Sequence, residues 1–107
     1  MYKFIAYIPE SDLENVKTAL FNAGAGQFDG YSHCSWQVLG MGQFKPLKGS
    51  NPAIGQIDKI EYVPEWRVET IVPDDKLMDV VRAYKSAHPY EVPAYDVYQM
   101  VDVDKLD

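Results

Sequence analysis

The sequence predicts an α+β sandwich, an antiparallel sheet with two helices on one face, and three observations predict it. Segments rich in β-branched and aromatic residues alternate with two segments whose apolar residues recur at helical spacing. One pattern occurs twice: Pro9, Leu13, Val16 and Ala19 reappear as Pro73, Leu77, Val80 and Ala83, at a constant offset of 64 positions. At that offset the strand-like stretch 2–8 also falls on the strand-like stretch 66–72. Two copies of a strand–helix unit, with β-rich segments between and after them, give the order βαββαβ. That is the split-βαβ, ferredoxin-like arrangement.

In chain order, residues 2–8 form the first strand, which Pro9 ends. Ser11 and Glu14 have capping-box spacing, so Ser11 is the expected N-cap of a helix over 12–23. Leu13, Val16, Leu20 and Ala23 make its apolar stripe, and Gly24 and Gly26 are its stop signals. Tyr31 to Leu39 reads as the second strand, followed by a Gly- and Pro-rich loop over 40–52. A loop of that length in a compact domain is usually functional or mobile. β character resumes over 57–62, with Pro64 as an interruption. It alternates cleanly over 66–72, with Trp66, Val68, Thr70 and Val72 on one face. Asp74 is the expected N-cap of the second helix, whose stripe is Leu77, Val80, Val81 and Tyr84 as far as Ala87. Residues 95–101 form the last strand, and the acidic tail from Asp102 is expected to fray. Both helices cover one sheet face; the fourteen aromatics (two Trp, eight Tyr, four Phe) make another subunit the natural cover for the other.

The totals set limits on class. A chain of 107 residues, 47% of them apolar, suits one domain over 1–107 with a real core. A net charge of −6 argues against general nucleic-acid binding, which needs a basic footprint, and against an anionic membrane surface. The single cysteine, Cys34, allows no internal disulfide and fits a reducing compartment. The N-terminus shows no basic and apolar signal pattern, and no apolar run reaches the length of a membrane span, so the expectation is a cytoplasmic protein.

The densest chemistry lies in Ala87-His88-Pro89-Tyr90-Glu91-Val92-Pro93-Ala94-Tyr95-Asp96. Pro89 and Pro93 push His88 and Val92 toward extended backbone. At this point the sequence resembles CutA, a small ferredoxin-like trimer akin to the PII signalling proteins. It is more similar still to the inserted cap domain of the YqfO-type proteins of the Nif-three superfamily. The ordered motifs that carry the likeness are Gly40-Met41-Gly42-Gln43-Phe44-Lys45-Pro46, Gly49-Ser50-Asn51-Pro52-Ala53-Ile54-Gly55, Glu65-Trp66-Arg67-Val68-Glu69 and Ala87 through Asp96. The resemblance implies a PII/CutA-like module that packs as a homotrimer, with binding sites in clefts between subunits and the loop after the second strand as the adjustable element. YqfO-type proteins place this domain between two halves of an α/β domain that binds two metal ions. Those halves are not in this sequence, so the hydrolase and cyclohydrolase activities attached to the family have no residues here to carry them.

Three sets of residues are candidates for function. Gly40, Gly42, Lys45 and Lys48 could form a cradle for a small anionic ligand, glycine backbone N–H groups converging on the anion; the plain alternative is a long hairpin connection. No P-loop is present, which removes the usual support for nucleotide binding. His88 and Glu91, completed by His33 or Cys34 across a subunit boundary, could hold a divalent metal. The plain alternative, favoured because two distant histidines do not make a ligand spacing, has Glu91 accepting backbone N–H bonds. His88 then caps the second helix as a cation and Tyr90 packs between strands. Cys34 reads as an inert strand thiol, and Glu65, Arg67 and Glu69 as a cross-strand ion network. The leading expectation is therefore a non-enzymatic, self-associating module that binds a small ligand or protein partner near 40–55 and at His88, Tyr90 and Glu91. The second is a metal-binding protein or weak metal-dependent enzyme.

Overall fold

In the computed structural model, which describes residues 1–106, β1 (Tyr2–Pro9) forms the inner core strand. Its Phe4, Ala6 and Ile8 point to the helices and are fully buried. Lys3, Ile5 and Tyr7 point to the opposite face, as the two-residue period requires. A 3₁₀ turn over Glu10–Asp12 leads into α1 (Leu13–Asn22). Then come β2 (Ser35–Phe44), β3 (Glu61–Val72), a 3₁₀ turn over Asp74–Lys76, α2 (Leu77–Ala87) and β4 (Tyr95–Gln99). The sheet order is β2-β3-β1-β4 with every pair antiparallel, the ferredoxin-like topology expected. The internal repeat is exact in the turns too, since the turn 10–12 and the turn 74–76 stand at the same offset.

The core lies between the sheet and the helices. Val16 and Leu20 of α1 and Val80 and Tyr84 of α2 meet Phe4, Ala6, Ile8, Val68 and Val72. Tyr84 is the largest side chain wholly out of solvent. Its ring meets Phe4 edge-on at 5.3 Å, while Tyr95 stacks on Phe4 at 5.6 Å. Gly24 and Gly26, both at positive φ, take the chain off the end of α1. The Gly26 N–H donates to the Ile71 carbonyl, so the stop signal also anchors the helix to the sheet.

Several boundaries differ from the expectations. Ser11 does not cap α1: its hydroxyl donates to the Asp12 carboxylate, and the 3₁₀ turn supplies the entry instead. Asp74 likewise caps nothing and pairs with the Met1 amino group. β2 begins later than Tyr31 and runs through Gly40 and Gly42 to Phe44, so the loop starts at Lys45. β3 is one strand of 12 residues that passes through Pro64. Its neighbour β1 pairs only with residues 65–72, so over Glu61–Pro64 that edge of β3 is free and no N–H is needed there. β4 stops at Gln99, and the tail forms a 3₁₀ turn over Val103–Lys105 whose Asp102 carboxylate accepts the Asp104 N–H.

Candidate functional site

Strand β4 reaches β1 only as far as the pair Tyr95–Ala6. One residue on, the backbone of Tyr7 would face a missing strand, and two side chains of the α2–β4 segment replace it. The Tyr84 hydroxyl receives the Tyr7 N–H at 3.3 Å and donates to the Ala94 carbonyl at 2.6 Å. The His88 Nε2 donates to the Tyr7 carbonyl at 2.8 Å. His88 Nδ1 in turn accepts the Tyr90 N–H at 3.1 Å. A carbonyl can only accept and an amide N–H can only donate, so these partners define the neutral imidazole with its proton on Nε2. Burial lowers its pKa below the usual imidazole value, against the opposing pull of the Tyr7 carbonyl and the Asp12 charge.

This corrects one expectation. His88 does not sit at the end of α2 as a cation; its backbone N–H caps the helix on the Tyr84 carbonyl and its ring turns inward. Both ring nitrogens are engaged, so no lone pair remains for a metal without breaking one of these bonds.

The segment pinned in this way is one wall of a cleft of about 280 Å³. Tyr90, Glu91, Val92 and Ala94 form that wall. The end of β2 and the following loop form the other, through Phe44, Pro46, Pro52 and Ile54. Tyr7 and Glu65 complete the lining. The walls are tied together: the Glu91 carboxylate accepts the Asn51 N–H at 2.9 Å, and the Phe44 and Tyr90 rings lie 5.8 Å apart. The Tyr7 hydroxyl donates to Asp96 at 2.9 Å.

Glu65 is the chemically distinctive group. Its side chain folds across Gly42 on β2, where any β-carbon would overlap its carboxyl group. Among the described residues it has no cationic partner in a salt bridge. Burial raises its carboxyl above the usual range, opposed by the neighbouring Tyr90 phenol. The Tyr90 hydroxyl is sealed from solvent and makes no well-formed hydrogen bond. Burial, reinforced by the Glu65 charge, pushes that phenol up to about 12.

Of the residues singled out in the sequence, Tyr90 and Glu91 line the cleft and His88 supports it from behind. Lys45 and Lys48 are exposed and outside its lining. Gly40 and Gly42 belong to β2, and the open side of Gly42 is already filled by a carboxylate. The anion cradle of Gly40, Gly42, Lys45 and Lys48 is thus not assembled within one chain. His33 lies elsewhere, in an exposed turn at φ 59°, against Ser32 at 2.9 Å and Phe21 at 4.8 Å. Among the described residues no three His, Cys, Asp or Glu side chains converge as a metal site would require. Glu69, not Glu65, carries the ion network, 3.5 Å from Lys3 and 3.7 Å from Arg67. The sequence puts Glu65 with Arg67 and Glu69 in an ion network, and nothing in it sets Glu65 apart from those neighbours as a cleft residue.

A split-βαβ sheet, a long β2–β3 ribbon and a pinned segment before β4 define a PII/CutA-like domain of the ferredoxin-like fold. Homology makes this more particular: over 92% of its length the chain is homologous to proteins of the NIF3/YqfO family. It is 46% identical over 99 residues to the GTP cyclohydrolase 1 type 2 homolog of Mycobacterium bovis and spans 26% of that protein. It also superimposes on a Bacillus cereus protein related to NIF3 with a TM-score of 0.81 at 39% identity, covering 94% of this chain and 26% of that one. The chain thus spans about a quarter of the relatives it matches. The fold alone is shared with the divalent cation tolerance protein CutA of Archaeoglobus fulgidus, at a TM-score of 0.65 and 18% identity over 94% of this chain and 84% of that one. No family model matches the chain.

Proposed function

We propose that this domain is a binding module that self-associates through its open sheet face and takes up a small ligand in the cleft between residues 43–54 and Tyr90–Ala94, with His88 supporting the second wall. One observation carries the reading. The two motif-rich segments lie 40 positions apart at the Asn51–Glu91 bond, yet they close on the same cavity. Folding alone does not require a mostly apolar cleft with a few convergent polar groups, whereas a ligand site does. No reaction is assigned to the module.

The self-association rests on the face opposite the helices. There Trp36 is 60% exposed beside the exposed Val38 on β2, and Tyr98 is 58% exposed on β4 at the other edge of the sheet. Large aromatics left bare on a sheet face suit an interface. A homotrimer is the proposed state, following the arrangement that the likeness to CutA implies.

Native mass spectrometry of tag-free protein tests self-association: the expected mass is three times 12.2 kDa, collapsing to one chain in Trp36→Glu. A wild-type monomer at micromolar concentration overturns it. Amide chemical shifts during a fragment screen test the cleft. Hits should concentrate on 43–54 and 90–94; hits scattered elsewhere would remove the cleft as the site.

A further inference from the structure

The cleft has a charge pattern that restricts what can enter it. Its lining carries two carboxylates, Glu65 and Glu91, and no lysine or arginine. Glu91 is exposed and already accepts the Asn51 N–H. Glu65 is different: it is half-buried, has no salt-bridge partner among the described residues, and lies in the space left open by the missing side chain at Gly42. Beside it stands a phenol hydroxyl without a well-formed partner. A half-buried carboxylate next to apolar walls is destabilised by lost hydration, and an opposite charge at contact distance reverses that loss.

Resting on the reading of the cleft as a ligand site, we infer that it takes a small organic cation: an apolar or aromatic body carrying a protonated amine that bonds to Glu65. The body fits the walls. Phe44, Pro46, Pro52, Ile54, Tyr90 and Val92 present flat or branched apolar surface. A cavity of about 150 Å³ suffices for a benzene ring, so the space here admits a larger, bicyclic one. The Tyr90 hydroxyl and the Tyr7 ring add electron-rich groups that a cation also prefers. A phosphate or carboxylate ligand would instead meet two negative charges and no positive one. A bare metal ion would find too few ligands, because both His88 nitrogens are engaged and no three donor side chains converge among the described residues.

Three probes of one shape separate these possibilities: tryptamine (cation), tryptophol (neutral) and indole-3-acetate (anion), titrated into ¹⁵N-labelled protein, with zinc chloride as a fourth arm. Tryptamine should saturate the shifts of residues 43–54 and 90–94 and bind more tightly than tryptophol, with indole-3-acetate weakest. In Glu65→Gln, tryptamine affinity should fall about tenfold, toward that of tryptophol, since one charge-assisted hydrogen bond is lost. Tryptophol itself should bind the variant as before, which shows that the cleft is intact. Equal or tighter binding of the anion, an unchanged tryptamine affinity in Glu65→Gln, or saturable zinc shifts that compete with tryptamine would each overturn the inference and leave the cleft standing. No cleft shifts with any probe would overturn the ligand site itself.

Discussion

The Glu65 side chain occupies the space that a β-carbon at position 42 would need. The two residues sit on neighbouring strands, Gly42 opposite Val63 and Glu65 opposite Gly40, so the carboxylate reaches diagonally across β2. Gly42 has no positive φ, and its backbone would accept alanine without strain. The only obstacle is the end of a flexible side chain. In Gly42→Ala, Glu65 should therefore swing out at a cost of about 0.5–1.5 kcal/mol, the usual scale of a displaced rotamer. Urea denaturation should show little change, while tryptamine affinity should drop as far as in Glu65→Gln. A loss of several kcal/mol would mean that Gly42 serves the fold and not the placement of Glu65.

His88 makes the stability depend on pH in a defined direction. Burial holds its folded pKa below the unfolded value of about 6.5, so the unfolded chain binds more protons in the window beneath that value. Stability should be fully present above about pH 6.5 and fall as the pH drops toward the folded pKa. A second proton would also abolish the acceptor that holds the Tyr90 N–H. Glu65 acts in the opposite sense, because its raised pKa makes its ionised form costly as the pH rises. The His88 contribution is isolated by comparing wild type with His88→Gln in urea at several pH values. The difference should be flat above neutrality and shrink as the pH falls to 5. A constant difference over the whole range would show that His88 is not buried neutral.

The fold was legible because its signals are local and repeated. Leu13, Val16 and Leu20, like Val80 and Tyr84, keep helical spacing, and the offset between Pro9 and Pro73 doubles the evidence. The boundaries that escaped depend on contacts made far along the chain. Pro64 reads as a break unless one knows that β1 has already ended at Glu65. Gly40 and Gly42 read as loop unless one knows that a glutamate needs the space over Gly42. The tail past Gln99 reads as frayed because an Asp102 cap looks like any acidic residue. The same holds for the site: Tyr90 and Glu91 stand out between prolines, whereas Glu65 gains its character from Gly42 and Tyr90, which only the fold brings to it.

Tyr84 gives the last prediction, because one hydroxyl serves both the sheet and the cleft. It accepts the Tyr7 N–H where β4 has run out and donates to the Ala94 carbonyl on the cleft wall. Phenylalanine would keep the ring, its contacts with Phe4 and Tyr95, and the packing of α2. It would leave the Tyr7 N–H and the Ala94 carbonyl without this partner. Unpaired polar groups of this kind cost about 1–3 kcal/mol. Tyr84→Phe should therefore lower the urea midpoint with an unchanged slope, since the same surface is exposed on unfolding. Amide exchange separates the two effects of the hydroxyl. Exchange at Tyr7 and across 90–94 should accelerate beyond what the global loss explains, while the α1 amides follow global unfolding alone. If exchange instead rises evenly over all elements, the hydroxyl is one more core contact, and the pinning of the cleft wall must come from His88 by itself.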